Sequence, residues 1–435
     1  MRAFNNWLEF AAGVTLASLL ATGAAAQGTS FPQIERGRYL TRAGDCASCH
    51  TSPGGKAFAG GLGIQTPFGV IYSMNLTPDR ETGIGNWSKE DFYNAMHRGI
   101  DDEGQRLYPA FPYPWFTKLS RYDVDAIKAY LDVLEPVKQQ NRSTGLPWPL
   151  NWRMSMVGWN LLFFNEGEMK PDAAKSAEWN RCAYLVEGAG HCAACHTPKN
   201  MLGASKSGQA LQGGDAGEHW FAPSLSGDLR DGIGGWSVTD IVAYLKTGSN
   251  DKSATAGAMT DVVKNSTQYL SDADLKAIAV YLKDMPAVAS KKEAKTTAPL
   301  ASDALARGEA LYVDNCTGCH MADGGGIAKV FPPLKASAAI QAASPGTAIH
   351  VVMEGAKMAA PATKPTGLTM PGFAGKLNDG EIAAVVNYIR NAWGNRAPMV
   401  SVGSVAEVRT STGRSGAIDL TWQPGARVQP ALSRP

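Results

Sequence analysis

Three times in 435 residues a pair of cysteines three positions apart runs directly into a histidine. The copies are "CASCH" at Cys46, Cys49 and His50, "CAACH" at Cys192, Cys195 and His196, and "CTGCH" at Cys316, Cys319 and His320. The chain holds only seven Cys and seven His, so these motifs consume six of the seven thiols. Chance would supply about 0.002 such pentapeptides at these residue frequencies, which makes the spacing a strong signal. Any fold for this chain must present that chemistry three times.

The copies align well beyond the motif, and an internal repeat decides the architecture before any single element does. A short helical stretch leads into each: "ERGRYLTRAGDC" from Glu35, "NRCAYLVEGAGHC" from Asn180 and "ARGEALYVDNC" from Ala306. After the motif, "WSKED" at Trp87 and "WSVTD" at Trp236 predict helix starts, with Ser88 or Ser237 as cap and an Asp three residues on. Each repeat closes on an amphipathic helix: "DVDAIKAYL" ending at Leu131, "DADLKAIAVYL" at Leu282 and "DGEIAAVVNYI" at Ile389, with Tyr130, Tyr281 and Tyr388 in matching places. Each unit is mostly helical, with long Gly/Pro-rich loops. The expected division is a signal peptide over 1–26, repeat 1 over 27–142, a Trp-rich linker over 143–171 and repeat 2 over 172–286. A flexible Lys/Ala/Pro-rich linker over 287–301, repeat 3 over 302–396 and a tail over 397–435 complete it.

The first 26 residues carry Arg2, an apolar run and Ala24-Ala25-Ala26, the order of a secretory signal with a small-residue cleavage site. Export places the thiols in an oxidising compartment, where they would pair as disulfides unless something else claims them. The trailing histidine identifies the claimant. In c-type haem attachment both thiols add across two vinyl groups of the porphyrin and the histidine ligates iron. A zinc site would need a fourth ligand at comparable spacing in each copy, and the chain offers none. A thioredoxin-like pair would lack its βαβ setting and would not need the histidine. Three covalently bound haem c groups are therefore expected, with Cys46, Cys49, Cys192, Cys195, Cys316 and Cys319 as attachment points and His50, His196 and His320 as iron ligands.

The repeats resemble class I cytochrome c domains. Three of them on one exported chain resemble the triple-haem cytochrome subunits of membrane-bound alcohol, gluconate, fructose and aldehyde dehydrogenases. The pieces "IYSMNLTPDRETGIGNWS" from Ile71, "HCAACHTPKN" from His191 and "LTMPGF" from Leu368 carry that likeness. It implies a mainly α fold, three tandem class I cytochrome c domains joined by linkers. It also implies a periplasmic electron-transfer subunit associated with the cytoplasmic membrane rather than the catalytic subunit. A quinoprotein, flavoprotein or molybdoprotein dehydrogenase would donate the electrons, and ubiquinone or the respiratory chain would receive them. Formal charge is +2 with no basic patch, so nucleic acid is not an expected partner.

Domains of this kind usually add a methionine sulfur on the face opposite the histidine. Repeat 2 offers Met259 in "GAMTDVV" and repeat 3 offers Met370 in "LTMPGF". Repeat 1 reads "LYPAFPYPWF", so Phe111 stands where the family pattern "PAMPY" would put sulfur. Met74 aligns with Pro223 and Pro332, positions whose backbone carbonyl in the family bonds the proximal histidine, so its side chain is on the wrong face. Met96, on the helix after Trp87, reads as core packing. The first haem is thus expected to be five-coordinate or to use an unexpected ligand, Tyr108 or Tyr113 filling in if the loop shifts. An open iron would admit a haem peroxidase, a small-molecule reductase or a ligand sensor as alternative readings.

Of the other singular residues, Cys182 aligns with Gly37 and Gly308 and reads as a small residue at a tight helix crossing. His191 reads as a solvent-edge residue, and His219 and His350 as surface or helix residues. The Gly runs "GGLG" and "DGGGIA" lack a phosphate-loop ending. No Ser/His/Asp or paired-carboxylate set has supporting context, so no catalytic residue is assigned. The linker segment "LPWPLNWRMSMVGWNLLFF" from Leu146 reads either as a strap packed on its neighbours or as a partner- or membrane-facing surface. The tail beyond about Arg396 reads as disordered or loosely docked.

Overall fold

The computed structural model describes residues 30–288 and 302–413. The signal segment, most of the second linker and residues 414–435 lie outside them. Among the described residues helices dominate, and the strands amount to three two-stranded antiparallel hairpins: Gly63–Thr66 with Gly69–Tyr72, Gly214–Asp215 with Phe221–Ala222, and Ala356–Lys357 with Thr369–Met370.

Each repeat is built on one crossing, its first helix against its last. In repeat 1, Phe31–Ala43 begins on Ser30, whose hydroxyl accepts from Gln33 N, and crosses Arg121–Leu131, whose cap Ser120 accepts from Asp123 N. The crossing is so close that a Cβ on Gly37 would lie 1.8 Å from the Ala126 carbonyl oxygen. Only glycine permits that approach. Gly308 of Ser302–Asn315 plays the same part against Asp379–Asn391, where a Cβ would lie 2.4 Å from Ala384 O. Repeat 2 puts Cys182 at this position, fully buried, with its thiol 2.8 Å from the Glu178 carbonyl. One residue more separates Cys182 from Cys192 than separates Gly37 from Cys46. The helix Ala177–Ala183 absorbs it by running on as a π-helix over Tyr184–Ala189. A single π turn is the ordinary way for a helix to accept one inserted residue.

The third helix of each repeat starts and stops as its composition demands. Ser88 and Ser237 form full capping boxes with Asp91 and Asp240, as the "WS" motifs predict. Lys89–Arg98, Val238–Thr247 and Gly346–Glu354 all end on glycines with positive φ, Gly99, Gly248 and Gly355. The last helices start on Ser120, Ser271 and Asn378.

One apolar core runs continuously through repeats 1 and 2, from Leu40, Phe92 and Val124 to Leu185, Ile241 and Leu275. Repeat 3 holds a separate core around Tyr312, Ile349, Val386 and Ile389. Residues 397–413, expected as a loose tail, instead close this second core. Val402–Thr412 is a helix that buries Val405 and Val408, and Arg409 ties it to Asp379 at 2.7 Å and to the Ala374 carbonyl at 3.0 Å. Fully buried Arg390 donates to the carbonyls of Ile340, Ala342 and Pro398, which fixes the chain leading into that helix. Two well-placed valines in an otherwise polar segment left too little periodicity to read.

The Trp-rich linker is both strap and surface. Tyr108 and Tyr113 of repeat 1 donate to Leu150 O and Asn160 Oδ1, and Trp159 donates to Leu202 O of repeat 2. Its outer side leaves Trp148, Trp152, Leu161 and Leu162 more than half exposed. Among the described residues, no helix is long and apolar enough to cross a membrane.

Candidate metal centres

The three motifs fold as single helical turns, Cys46–His50, Ala193–His196 and Thr317–His320. One turn places both sulfurs along one edge and swings the following imidazole beneath it. His50 Nδ1 donates to Met74 O at 2.7 Å, His196 Nδ1 to Pro223 O at 2.7 Å and His320 Nδ1 to Pro332 O at 3.0 Å. A carbonyl can only accept, so Nδ1 carries the proton in all three rings and Nε2 keeps its lone pair. Burial holds all three imidazoles below their ordinary pKa, and therefore neutral. A neutral imidazole with one nitrogen tied to a carbonyl is an oriented metal ligand. Met74 thus occupies the carbonyl position that its alignment with Pro223 and Pro332 predicted.

The six motif thiols are free rather than paired. The first of each pair is partly buried, and desolvation pushes Cys46 up to about 12 and Cys192 and Cys316 up to about 11. The second of each, Cys49, Cys195 and Cys319, is exposed.

Repeat 3 shows what such a turn looks onto. An apolar crevice is lined by Cys316, Cys319 and His320 together with Met370, Phe373 and Val352. Thiols, imidazole and thioether line one common space whose walls are otherwise mostly hydrocarbon and proline, with a few hydroxyls such as Thr255, Ser337 and Thr347. That donor set fits a macrocycle attached by two sulfurs, with His320 and Met370 as the residues that would hold its iron. In repeat 2, Met259 is half-buried at the start of the helix Ala258–Asn265. In repeat 1, Phe111 is half-buried, 5.6 Å from the Phe116 ring and 6.5 Å from that of Tyr113. The two tyrosines considered as substitutes there spend their hydroxyls on the strap, as described above. His97 is likewise engaged: its Nε2 donates to Leu119 O at 2.6 Å and its ring stacks on Tyr93.

Two junctions bring the repeats together. Repeats 1 and 2 meet by a reciprocal arrangement that the sequence reading missed. Arg36 grips Asp123 with two bonds of 2.5 and 2.9 Å, and Tyr184 of repeat 2 donates to the same carboxylate at 2.6 Å while accepting from Ser120 N. Arg181 grips Asp274 at 3.0 and 2.8 Å, and Tyr39 of repeat 1 donates to it at 2.5 Å while accepting from Ser271 N. The same four roles are filled twice, related by exchange of the repeats. At this junction the first two motifs lie back to back: His191 Nε2 donates to Gly44 O at 3.2 Å, and Asn265 donates to Ser48 Oγ at 2.8 Å. His191 is therefore an interface residue packed edge-on against Phe116, not a solvent-edge residue. Repeat 3 meets repeat 2 differently. Phe221 and Thr347 exchange two hydrogen bonds, and buried His350 stacks on Trp220 at 4.5 Å, so His350 is interior rather than surface. Ala254 and Thr255 of repeat 2 form part of the wall of the repeat 3 crevice.

The family model described as cytochrome c matches residues 34–135 and 305–393, the first and third repeats. The chain is 40% identical over 420 residues to the cytochrome c subunit of the quinone-type alcohol dehydrogenase of Gluconobacter oxydans, covering 93% of this chain and 87% of that one. It is 41% identical over 397 residues to the gluconate 2-dehydrogenase cytochrome c subunit of Pantoea cypripedii, covering 86% and 89%. The fructose dehydrogenase cytochrome subunit of Gluconobacter japonicus is 35% identical over 410 residues, covering 87% and 83%.

Proposed function

Because the chain belongs to the cytochrome c family, among the cytochrome c subunits of dehydrogenases, we propose that it is the electron-transfer subunit of a membrane-associated periplasmic dehydrogenase complex, carrying three covalently bound haem c groups. Electrons enter from a catalytic subunit bearing a quinone, flavin or molybdenum cofactor and leave toward ubiquinone or the respiratory chain. The observation that carries this reading is the threefold recurrence of one donor geometry, a Cys pair on a single turn and an imidazole whose Nδ1 is committed to a carbonyl. Haem iron, when bound, supplies one-electron redox chemistry. The chain's part is to hold it: Cys46, Cys49, Cys192, Cys195, Cys316 and Cys319 anchor, and His50, His196 and His320 ligate. Met259 and Met370 complete the second and third sites with a neutral sulfur, which favours the reduced state relative to harder donors.

The junctions support a linear relay with repeat 2 in the middle. Its motif abuts that of repeat 1, and its loop before Met259 walls the crevice of repeat 3. The exposed face of the strap supplies apolar area for a catalytic partner or the bilayer surface. The test uses the complex isolated from its native membrane. Adding the dehydrogenase's substrate reduces all three haems, and adding ubiquinone reoxidises them. Haems that stay oxidised while the dehydrogenase turns over with an artificial acceptor overturn the proposal.

A further inference from the structure

Repeat 1 lacks loop sulfur at Phe111, and the helix beside that loop offers a replacement. The three third helices can be placed in register by their ends. Gly99, Gly248 and Gly355 cap them, and the cap N–H of each returns to the carbonyl four residues back, on Ala95, Tyr244 or Val351. The residue after each glycine, Ile100, Ser249 or Ala356, then opens an antiparallel bridge. Met96, Leu245 and Val352 are therefore equivalent. In repeats 1 and 2 the register continues, because Leu107 N and Thr255 N bond Gly99 O and Gly248 O, both at 2.8 Å, and Phe111 and Met259 follow four residues later.

Repeat 3 delivers its loop sulfur in a different register, from Met370, the bridge partner of Ala356 as Arg106 and Ala254 are of Ile100 and Ser249, and it shows what a helix and a loop side chain share. Val352 on the helix and Met370 on the loop line the same crevice as Cys316, Cys319 and His320. A helix side chain and a loop sulfur thus face one space in repeat 3. Repeat 2 fills the helix and loop positions with Leu245 and Met259, and repeat 3 with Val352 and Met370. Repeat 1 fills them with Met96 and Phe111, so thioether and hydrocarbon have changed places. Met96 is 4% exposed and belongs to the apolar core that Phe111 packs against. Its unbranched side chain, with three rotatable bonds, can direct sulfur where a branched residue cannot. The other local donors are occupied: Tyr108 and Tyr113 by the strap, His97 Nε2 by Leu119 O.

We infer that Met96 Sδ, delivered from the helix Lys89–Arg98 rather than from the loop, is the sixth ligand of the iron in repeat 1, with Phe111 taking over the packing role of Leu245 and Val352. All three sites then share a His/Met donor set, and the first is neither open nor tyrosine-ligated. The inference rests on the reading that repeat 1 carries haem, and it replaces core packing as the role of Met96.

The test uses the full mature holoprotein. Peptide mass analysis first establishes haem on Cys46 and Cys49. Electron paramagnetic resonance of the oxidised protein and carbon monoxide titration of the reduced protein then report coordination. Wild type is expected to show three low-spin haems and negligible carbon monoxide binding. Met96→Leu should turn one haem in three high-spin and bind one carbon monoxide per chain. Adding Phe111→Met to Met96→Leu, which recreates the arrangement of repeat 2, should restore the low-spin signal and abolish that binding. A high-spin haem in wild type, or a Met96→Leu protein with unchanged spectra, overturns the inference while leaving the three-haem reading intact. A Cys46/Cys49 peptide without added mass overturns both. Should Met96→Leu not fold, Met96→His serves instead: its product must keep three low-spin haems with one potential lowered, and three unchanged potentials would overturn the inference.

Discussion

The junction between repeats 1 and 2 and the junction between repeats 2 and 3 join similar domains by different means. The first is reciprocal and built from side chains: two Arg–Asp pairs, each completed by a tyrosine from the other repeat, over a shared apolar core. The second is made by Thr347 and His350 reaching the backbone of Phe221 and Glu218, by Lys364 donating to Ser249 Oγ, by the N–H groups of Ala359 and Ala362 donating to Thr255 and Gln268, and by a loop edge laid along a crevice. A shared core couples folding, whereas an edge contact between separate cores lets each side keep its own stability. Repeats 1 and 2 should therefore behave as one cooperative unit and repeat 3 as a second.

The largest expected effect comes from breaking the reciprocal junction. Asp123 is 3% exposed and its carboxylate accepts from Arg36 and Tyr184. Arg36 can turn to solvent, but the Tyr184 hydroxyl loses its buried acceptor, so Asp123→Ala should cost about 2 kcal/mol. Thermal unfolding followed at each haem should show sites 1 and 2 losing stability together and site 3 holding. A loss confined to site 1 would break the comparison. A smaller effect is expected at the other junction. Thr347→Val forfeits two neutral hydrogen bonds to Phe221 and should cost about 1 kcal/mol, seen as faster amide exchange in Gly346–Glu354 with repeats 1 and 2 unchanged.

A third effect sharpens the comparison through pH. Asp45 lies at the back-to-back motifs of repeats 1 and 2, and burial pushes its carboxyl from 3.8 up to about 7. Between those values the folded chain holds a proton that the unfolded chain has released, so stability falls as pH rises from about 4 to 7. Asp45→Asn should flatten that decline for the first cooperative unit and leave repeat 3 alone. An unaltered slope in a pH series of unfolding midpoints would contradict this. The smallest effect on stability is expected at the strap. Replacing Trp152, Leu161 and Leu162 together by serine should shift unfolding by less than about 0.5 kcal/mol, because their surfaces already face solvent. The same triple change should weaken binding to liposomes or to the dehydrogenase partner, measured by co-sedimentation. Unimpaired binding to both would remove the strap from the interaction surface.

Much of this was legible in the chain because it is encoded locally. The Cys-x-x-Cys-His turns, the "WS" caps and the small residue at Gly37, Cys182 and Gly308 each act within a few positions or at one crossing. Even the Met74 carbonyl followed from lining up three loops. The reciprocal junction was not legible, since Tyr39 and Asp274 lie 235 positions apart and nothing local announces their contact. A trace of it exists: Arg36 and Tyr39 recur as Arg181 and Tyr184, while repeat 3 pairs Arg307 with Ala310. Arg307 still reaches Glu381, at 3.4 Å and largely exposed, but among the described residues no tyrosine arrives from elsewhere to complete that site. His191 was misplaced, and the burial of His350 on its helix went unread, for a related reason, since a lone histidine beside a motif or on a helix carries no mark of the neighbouring domain that buries it. The helix Val402–Thr412 was hidden by its Ser/Thr/Gly content, and it exists because Arg390 and Arg409 tie its approach and its flank to repeat 3.

The account stands on a prosthetic group joined to each of three folding units. Intact-mass and peptide analysis of the mature, exported protein is the most direct measurement of it. Three haem additions, located on the peptides containing Cys46/Cys49, Cys192/Cys195 and Cys316/Cys319, are the predicted result. Fewer than three, or free thiols in any one of those pairs, would contradict it.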